Sequence, residues 1–217
     1  MVSLGASGQS FAVSPSASGQ SFAASSSVGC PSAGEGTTIT DATSGFTMVM
    51  PSNWRQLLPD AESWLVVEGT HGSQAETWLK DGTMKDFAAP LVPQDDDKMV
   101  NLSLFVEADD PGKTLATLAS EYGKTIAGAR SGRVTRTDSL QVPAGPAIRV
   151  TATYPHPGGS FDFNDRLVAY ILRQDSRIYY LVFVSRDSTG DQYADRFLCM
   201  ARSFRQVTGP GTSPSSK

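Results

Sequence analysis

Histidine and cysteine are the side chains here best suited to metal binding or catalysis, and the chain holds only two of each. His71 and His156 lie far apart, and neither stands at ligand spacing from Cys30 or Cys199. A zinc site needs several ligands grouped at short spacings, so no metal site is predicted. No Ser or Cys motif accompanies either histidine, and neither a G-x-S-x-G elbow nor a glycine-rich phosphate loop occurs. The sequence therefore predicts no catalytic residue and no cofactor.

The two cysteines allow two interpretations. If Cys30 and Cys199 pair, the disulfide closes a very long loop, worth roughly 5 kcal/mol in the chain-entropy model, and it implies an oxidising compartment. In the alternative, both thiols are free, and Cys199 packs as a small apolar side chain on a predicted helix. For an exported protein we expect the disulfide, which would tie the N-terminal segment to the core.

The segment from Tyr154 to Asp165 is the strongest candidate for a binding surface. It joins two predicted strands, yet it combines His156, Phe161 and Phe163 with several Pro and Gly residues. Loops held by a rigid scaffold often carry function, and aromatic side chains beside polar ones suit recognition. We expect the two phenylalanines to supply apolar anchors and the histidine to add a polar contact. The alternative is that both rings fold back onto the sheet edge or begin the next strand.

Hydrophobic periodicity indicates which elements position this loop. Apolar residues that alternate with polar ones, or that form short continuous runs, are typical of strands, and a spacing of three and four residues is typical of helices. Strands joined by short turns run antiparallel, so the predicted fold is α+β, an antiparallel β-sheet flanked by helices. The predicted strands are Phe46–Met50, Trp64–Val67, Glu76–Leu79, Asn101–Glu107, Val134–Val142, Ile148–Tyr154, Arg166–Arg173 and Ile178–Ser185, and the predicted helices are Leu115–Ile126 and Tyr193–Arg202.

Composition separates a core from its two ends. The chain has 217 residues, of which 39% are hydrophobic, and a formal net charge of -4. Residues 40–207 are predicted to form a single domain, residues 1–39 a disordered lead rich in Ser, Gly and Ala, and residues 208–217 a disordered tail. No cluster of Lys or Arg stands out, which argues against nucleic acid as a partner. No stretch of 18 apolar residues occurs, so no segment is predicted to span a membrane.

The order of these elements resembles the PsbP-like fold family. The opening strand at Phe46–Met50, followed by Pro51-Ser52-Asn53-Trp54, is similar to the start of that fold. The resemblance implies that Trp54 packs into the core. The rest of the likeness lies in the segments Leu140–Ile148, Tyr179–Val184 and Ala201–Phe204.

The PsbP-like resemblance implies a binding or assembly protein without an active site. The family includes photosystem extrinsic subunits, lipoproteins of the LpqN type, a Ran-binding nuclear protein and DcrB-like secretion chaperones. By analogy with its bacterial branch, the expected function is a non-enzymatic extracytoplasmic module that binds a protein or a small ligand. A membrane surface could be reached through an anchor that precedes Met1. The alternatives are a DcrB-like cytoplasmic chaperone, which favours free thiols, and a small hydrolase-like enzyme, which needs a nucleophile beside His71 or His156.

Overall fold

A computed structural model describes residues 30, 36–42, 44–55, 84–90, 100–129, 131–156 and 163–207 of the chain. The predicted strands at residues 64–67 and 76–79 lie outside these ranges, as do His71 and Phe161. The described residues form two antiparallel sheets and two α-helices, which confirms the predicted α+β class.

The smaller sheet is built around the alternating run that begins at Phe46. Side chains at every second position, Phe46, Met48 and Met50, are buried, as the period of two in a strand requires. The strand that precedes them begins at Gly36, ahead of the predicted domain boundary at residue 40, because its backbone pairs with the alternating run along its whole length. In spatial order the strands are β1 (Gly36–Asp41), β2 (Phe46–Pro51) and β10 (Arg205–Gln206).

The larger sheet has seven strands and contains the most apolar part of the sequence. A single sheet was predicted, whereas the described residues form two, because β2 pairs with β1 and β10 and with none of the described strands of the larger sheet. The spatial order is β3-β4-β5-β9-β8-β7-β6, with every neighbouring pair antiparallel. The strands are β3 (Trp54–Arg55), β4 (Met84–Pro90), β5 (Asn101–Ala108), β6 (Arg133–Val142), β7 (Gly145–Pro155), β8 (Asn164–Gln174) and β9 (Arg177–Arg186).

Two helices pack on opposite faces of the larger sheet. The first, α1 (Leu115–Ala129), starts after Thr114, whose hydroxyl accepts a hydrogen bond from the backbone N–H of Thr117 at 3.1 Å, as an N-cap residue does. The second, α2 (Gly190–Ser203), follows one short 3₁₀ turn. Gly190 leaves the space that the side chain of Arg166 occupies, because a Cβ there would lie 2.7 Å from Cδ of Arg166.

The larger sheet separates two hydrophobic cores, since successive side chains of a strand point to opposite faces. One core lies between this sheet, α2 and the smaller sheet, and it is rich in aromatic rings. The other lies between the sheet and α1 and is mostly aliphatic. The α2 core includes Phe46, Trp54, Leu104, Tyr170, Tyr179, Phe183, Phe197 and Phe204, and the α1 core includes Leu118, Ile148, Val150, Tyr154, Leu167, Ile171, Tyr180 and Val182.

Cys30 and Cys199 form a disulfide, with their Cα atoms 5.1 Å apart and a sequence separation of 169. The sequence left pairing and free thiols open, and the structure shows the pair. Cys199 lies on α2, so the bond connects the N-terminal segment to the helix that closes the aromatic core.

Trp54 is buried, as the resemblance implied. The residue is 3% exposed, and its indole meets the ring of Phe197 edge to face, with the ring centroids 6.4 Å apart. The aromatic pair joins β3 to α2 and supports a structural role for the tryptophan.

Candidate functional site

The predicted binding loop connects β7 to β8, and the structure describes both of its ends. Tyr154 lies opposite Asp165 in the register, and Pro155 lies opposite Asn164. One step further, the backbone N–H of His156 donates to the carbonyl oxygen of Phe163 at 3.1 Å. The ladder therefore extends to the last described residue on each side, and residues 157–162 between them lie outside the described ranges.

The imidazole of His156 and the carboxylate of Asp165 form a nearly buried pair at the base of this loop. Nδ1 of His156 lies 2.9 Å from Oδ2 of Asp165, and the two side chains are 8% and 2% exposed. Because a carboxylate only accepts hydrogen bonds, Nδ1 carries the proton that is shared. A buried carboxylate is costly without such a partner, so the pair fixes the orientation of both side chains.

Phe163 completes this cluster from the side of the loop. Its ring stacks on the imidazole of His156, with centroids 4.7 Å apart and planes inclined by 26°. The guanidinium carbon of Arg186 lies 4.0 Å from the centroid of the same ring, the geometry of a cation–π contact. Arg186 reaches this position because it lies opposite Asp165 in the β8–β9 register. We call His156, Phe163, Asp165 and Arg186 the loop-base cluster.

The strand period places the loop-base cluster on the α1 face of the larger sheet. Asp165 is two residues from Leu167, and His156 is two residues from Tyr154, and both of these neighbours belong to the α1 core. Ser185 is buried, and its hydroxyl has no hydrogen-bond partner among the described residues. It lies two residues from Phe183 of the α2 core and therefore on the α2 face. The sheet therefore separates this serine from His156, so it is not placed as a nucleophile.

The sequence named two members of the cluster and missed the other two. His156 and Phe163 are brought into contact, whereas Phe161, the other predicted binding residue, lies outside the described ranges. Asp165 and Arg186 were not singled out as site residues. The sequence feature that could have identified Asp165 is its position: it lies just before a long apolar run and close to a histidine. The binding role of all three predicted residues remains a prediction.

Two shallow cavities lie elsewhere on the described surface. One, of about 390 Å³, is bordered by the disulfide and by residues of β2 and α2, among them Met48, Met200 and Arg202. The other, of about 550 Å³, is a groove between α1 and β6, lined mainly by small side chains such as Ala119, Gly123 and Thr137. The second groove exists because the side chains along this part of α1 are small.

Metal binding and membrane insertion can be examined only over the described residues. Within them, no group of three or more His, Cys, Asp or Glu is arranged to hold a metal ion. In the same ranges, no helix has both the length and the apolar character needed to cross a bilayer.

The architecture is similar to solved structures of low sequence identity. The solution structure of cyanobacterial PsbP (CyanoP) from Synechocystis sp. PCC 6803 matches with a TM-score of 0.48 and 15% identity, over 86% of this chain and 99% of that chain. A crystal structure from Bacteroides thetaiotaomicron VPI-5482 matches with a TM-score of 0.49 and 8% identity, over 83% of this chain and 52% of that chain. This chain therefore spans about half of the Bacteroides protein.

No family model matches the chain, and neither does any curated protein. The first of these structural matches is to a PsbP structure, the fold family that the sequence resembles, and the LpqN-like branch remains a prediction.

Proposed function

We propose that the protein is a non-enzymatic binding module that presents the β7–β8 loop to a protein or small-molecule partner. The observation that carries the proposal is the loop-base cluster. A buried His156–Asp165 pair, with Phe163 stacked on the imidazole, holds both ends of the loop on the central strands. A rigid base of this kind reduces the entropy that a binding loop would lose when it meets its partner.

The structure changes the roles that we assign within the loop. His156 is nearly buried and Phe163 packs against it, so in the proposal these residues position the loop. The partner contact is then assigned to residues 157–162, with Phe161 as the apolar anchor. Aromatic anchors of this kind contribute a large share of binding energy at many interfaces.

We propose further that the module acts outside the cytoplasm. The Cys30–Cys199 disulfide supports this location, because such bonds persist in oxidising compartments. The DcrB-like alternative favours free thiols, and both cysteines of the chain are paired here.

Site-specific photo-crosslinking tests the loop assignment. A benzophenone amino acid is placed at Phe161 in one protein and at Asp195, an exposed residue of α2, in a matched control. Each protein is irradiated with the extracytoplasmic fraction of the producing cell, and adducts are identified by mass spectrometry. The proposal expects a defined adduct at position 161 that is absent at position 195. In proteins without the benzophenone, Phe161→Ser should abolish binding of the partner identified in that adduct, whereas Phe161→Leu should retain most of the binding. Equal crosslinking at both positions would reject the loop as the contact.

A hydrolase-like activity is a second candidate, favoured by a single observation. The carboxylate of Asp165 orients the imidazole of His156, which is how an acid orients a general base in hydrolytic triads. Turnover of activated esters that disappears in His156→Gln, with the fold intact, would support an enzyme. Turnover that is absent from the wild-type chain would leave the binding proposal as the better account.

A further inference from the structure

The outer edge of β6 is an exposed pairing surface. One side of β6 bonds to β7, and no other strand within the described ranges pairs with its second side. The side chains along its first half are exposed, and Val134 is 39% exposed. The other exposed residues there are Arg133, Thr135, Arg136 and Thr137. Among the edge strands that the structure describes, β6 is the longest at 10 residues, against 6 for β1 and 2 each for β3 and β10. A long exposed edge presents N–H and C=O groups that can pair with another strand.

Two charged residues in the middle of this edge point to the same face of the sheet. Arg136 and Asp138 are two positions apart, and Nε of Arg136 lies 2.7 Å from Oδ1 of Asp138. Asp138 also accepts from Arg149 at 2.7 Å, and its pKa is lowered because the hydrogen bonds and charges of the two arginines outweigh the opposing effect of partial burial. The side chain of Arg136 is 65% exposed, so it remains accessible to a strand placed beside β6.

Symmetry restricts how β6 could pair with β6 of a second copy. In an antiparallel pair related by a twofold axis, opposing residues lie on the same face of the sheet, so the axis passes beside a single residue. A register centred on Arg136 opposes Arg136 to itself, and one centred on Asp138 opposes Asp138 to itself. Only the register centred on Thr137 places each Arg136 opposite Asp138 of the other copy. Opposite charges across a pair stabilise it, and like charges destabilise it.

From this register we propose that the protein forms a twofold-symmetric homodimer through antiparallel pairing of its β6 strands, centred on Thr137. The two seven-stranded sheets would then join into one continuous sheet. A β-bulge between Val134 and Arg136 ends the regular part of the edge, which limits pairing to the residues around Thr137. The bulge and the charges disfavour indiscriminate strand addition, whereas the Arg136–Asp138 pattern accepts its own copy.

Sedimentation equilibrium of the full chain over a wide concentration range tests the dimer. The wild type should show a reversible monomer–dimer equilibrium that weakens as salt is added, because the opposing charges are near solvent. Arg136→Asp opposes Asp to Asp138 at both symmetric positions and should weaken dimerisation at least about tenfold. Arg133→Asp is the matched control, since it makes the same change of charge on the same strand but lies beyond the β-bulge, outside the paired residues, and it should leave the equilibrium almost unchanged.

Mixing two variants gives a sharper result. Asp138→Arg should also be monomeric alone, because it opposes Arg to Arg136. A mixture of the Arg136→Asp and Asp138→Arg proteins restores opposite charges at both positions and should form heterodimers, detected by native mass spectrometry. Asp138→Arg also loses the contact with Arg149, so the fold of this variant is checked by circular dichroism. If Asp138→Arg does not fold, the comparison of Arg136→Asp with Arg133→Asp tests the dimer by itself. A wild type that stays monomeric at all concentrations, or equal effects of these two variants, would overturn the proposal.

Discussion

The two faces of the larger sheet are packed in different ways. On the α2 face, aromatic rings contact one another in series: Phe183 stacks on Phe197 with centroids 4.5 Å apart, and Phe46 stacks on Phe204 at 5.4 Å. A second sheet closes this side, and the disulfide attaches the N-terminal segment to α2. Large rings in mutual contact, covered by two layers of structure, give a tightly defined core.

The α1 face has a thinner cover. Its core is mostly aliphatic, and within it the centroids of Tyr122 and Tyr180 lie 5.2 Å apart. Small residues such as Ala119 and Gly123 leave the groove of about 550 Å³ between α1 and β6. The loop-base cluster also belongs to this face. We expect stability to be concentrated on the α2 face, while the loop-base cluster and the groove beside β6, two features suited to recognition, lie on the α1 face.

The largest expected effect comes from opening the aromatic core. Trp54→Ala should lower the free energy of unfolding by about 3–5 kcal/mol, because removal of the buried indole leaves a cavity beside Phe197. Leu118→Ala on α1 should cost about 2 kcal/mol, because a site under a thinner cover can relax around the lost atoms. Urea unfolding followed by circular dichroism measures both. Equal costs would contradict the proposed difference between the faces.

Removal of the disulfide should have the next largest effect. The bond spans 169 residues, and loss of such a link from a folded domain typically costs about 2–5 kcal/mol, in part because the unfolded chain gains freedom. The Cys30→Ala/Cys199→Ala double variant should unfold at lower urea than the oxidised wild type. A reducing agent should destabilise the wild type and leave the double variant unchanged. If the oxidised and reduced wild type unfold together, the bond contributes nothing to the α2 face.

Local sequence patterns were sufficient for most of the fold. The spacing from Leu115 to Ile126 predicted α1, which the structure extends to Ala129, and the apolar runs predicted β8 and β9. The strand β1 was not predicted, because Ile39 is its only buried residue and a strand with one buried position shows no alternation. Placing β2 in a second sheet also depends on pairing partners, which the pattern within one strand does not contain.

The composition of the loop was enough to select residues of the candidate site, but it did not predict the contacts between them. His156 and Phe163 were selected because aromatic and polar residues share a loop rich in Pro and Gly. Their contact with each other requires the β7–β8 register, and the cation–π contact from Arg186 requires the β8–β9 register that places Arg186 opposite Asp165. Periodicity predicts the face on which a residue lies, whereas the pairing of residues far apart in sequence needs the assembled sheet.

A smaller effect is expected at the loop-base cluster, and it tests whether the α1 face is organised around a rigid loop. His156→Gln leaves the buried carboxylate of Asp165 without its imidazole partner and should cost about 1–3 kcal/mol. The His156→Leu/Asp165→Leu double variant should cost less than the sum of its single changes, because each single change leaves one buried polar group behind. Urea unfolding of the wild type, the two single leucine variants and the double variant gives the coupling free energy between the two side chains. Additive costs would mean that the pair does not act as a unit.

The smallest expected effect is a pH dependence that compares the faces through their tyrosines. Burial raises the pKa of Tyr180 on the α1 face, with a further contribution from Glu107, and burial also raises the pKa of Tyr170 on the α2 face. A tyrosine in the unfolded chain loses its proton near pH 10, while Tyr170 and Tyr180 keep theirs in the folded state. Their contribution to the free energy of unfolding is therefore fully present below pH 10 and decreases as the pH rises above 10. Each retained proton contributes a slope of about 1.4 kcal/mol per pH unit. Tyr180→Phe and Tyr170→Phe should each make the loss shallower, as urea midpoints between pH 9 and pH 11 would show. A slope that either substitution leaves unchanged would mean that the tyrosine ionises in the folded protein, and at Tyr180 it would indicate that α1 opens more readily than its packing suggests.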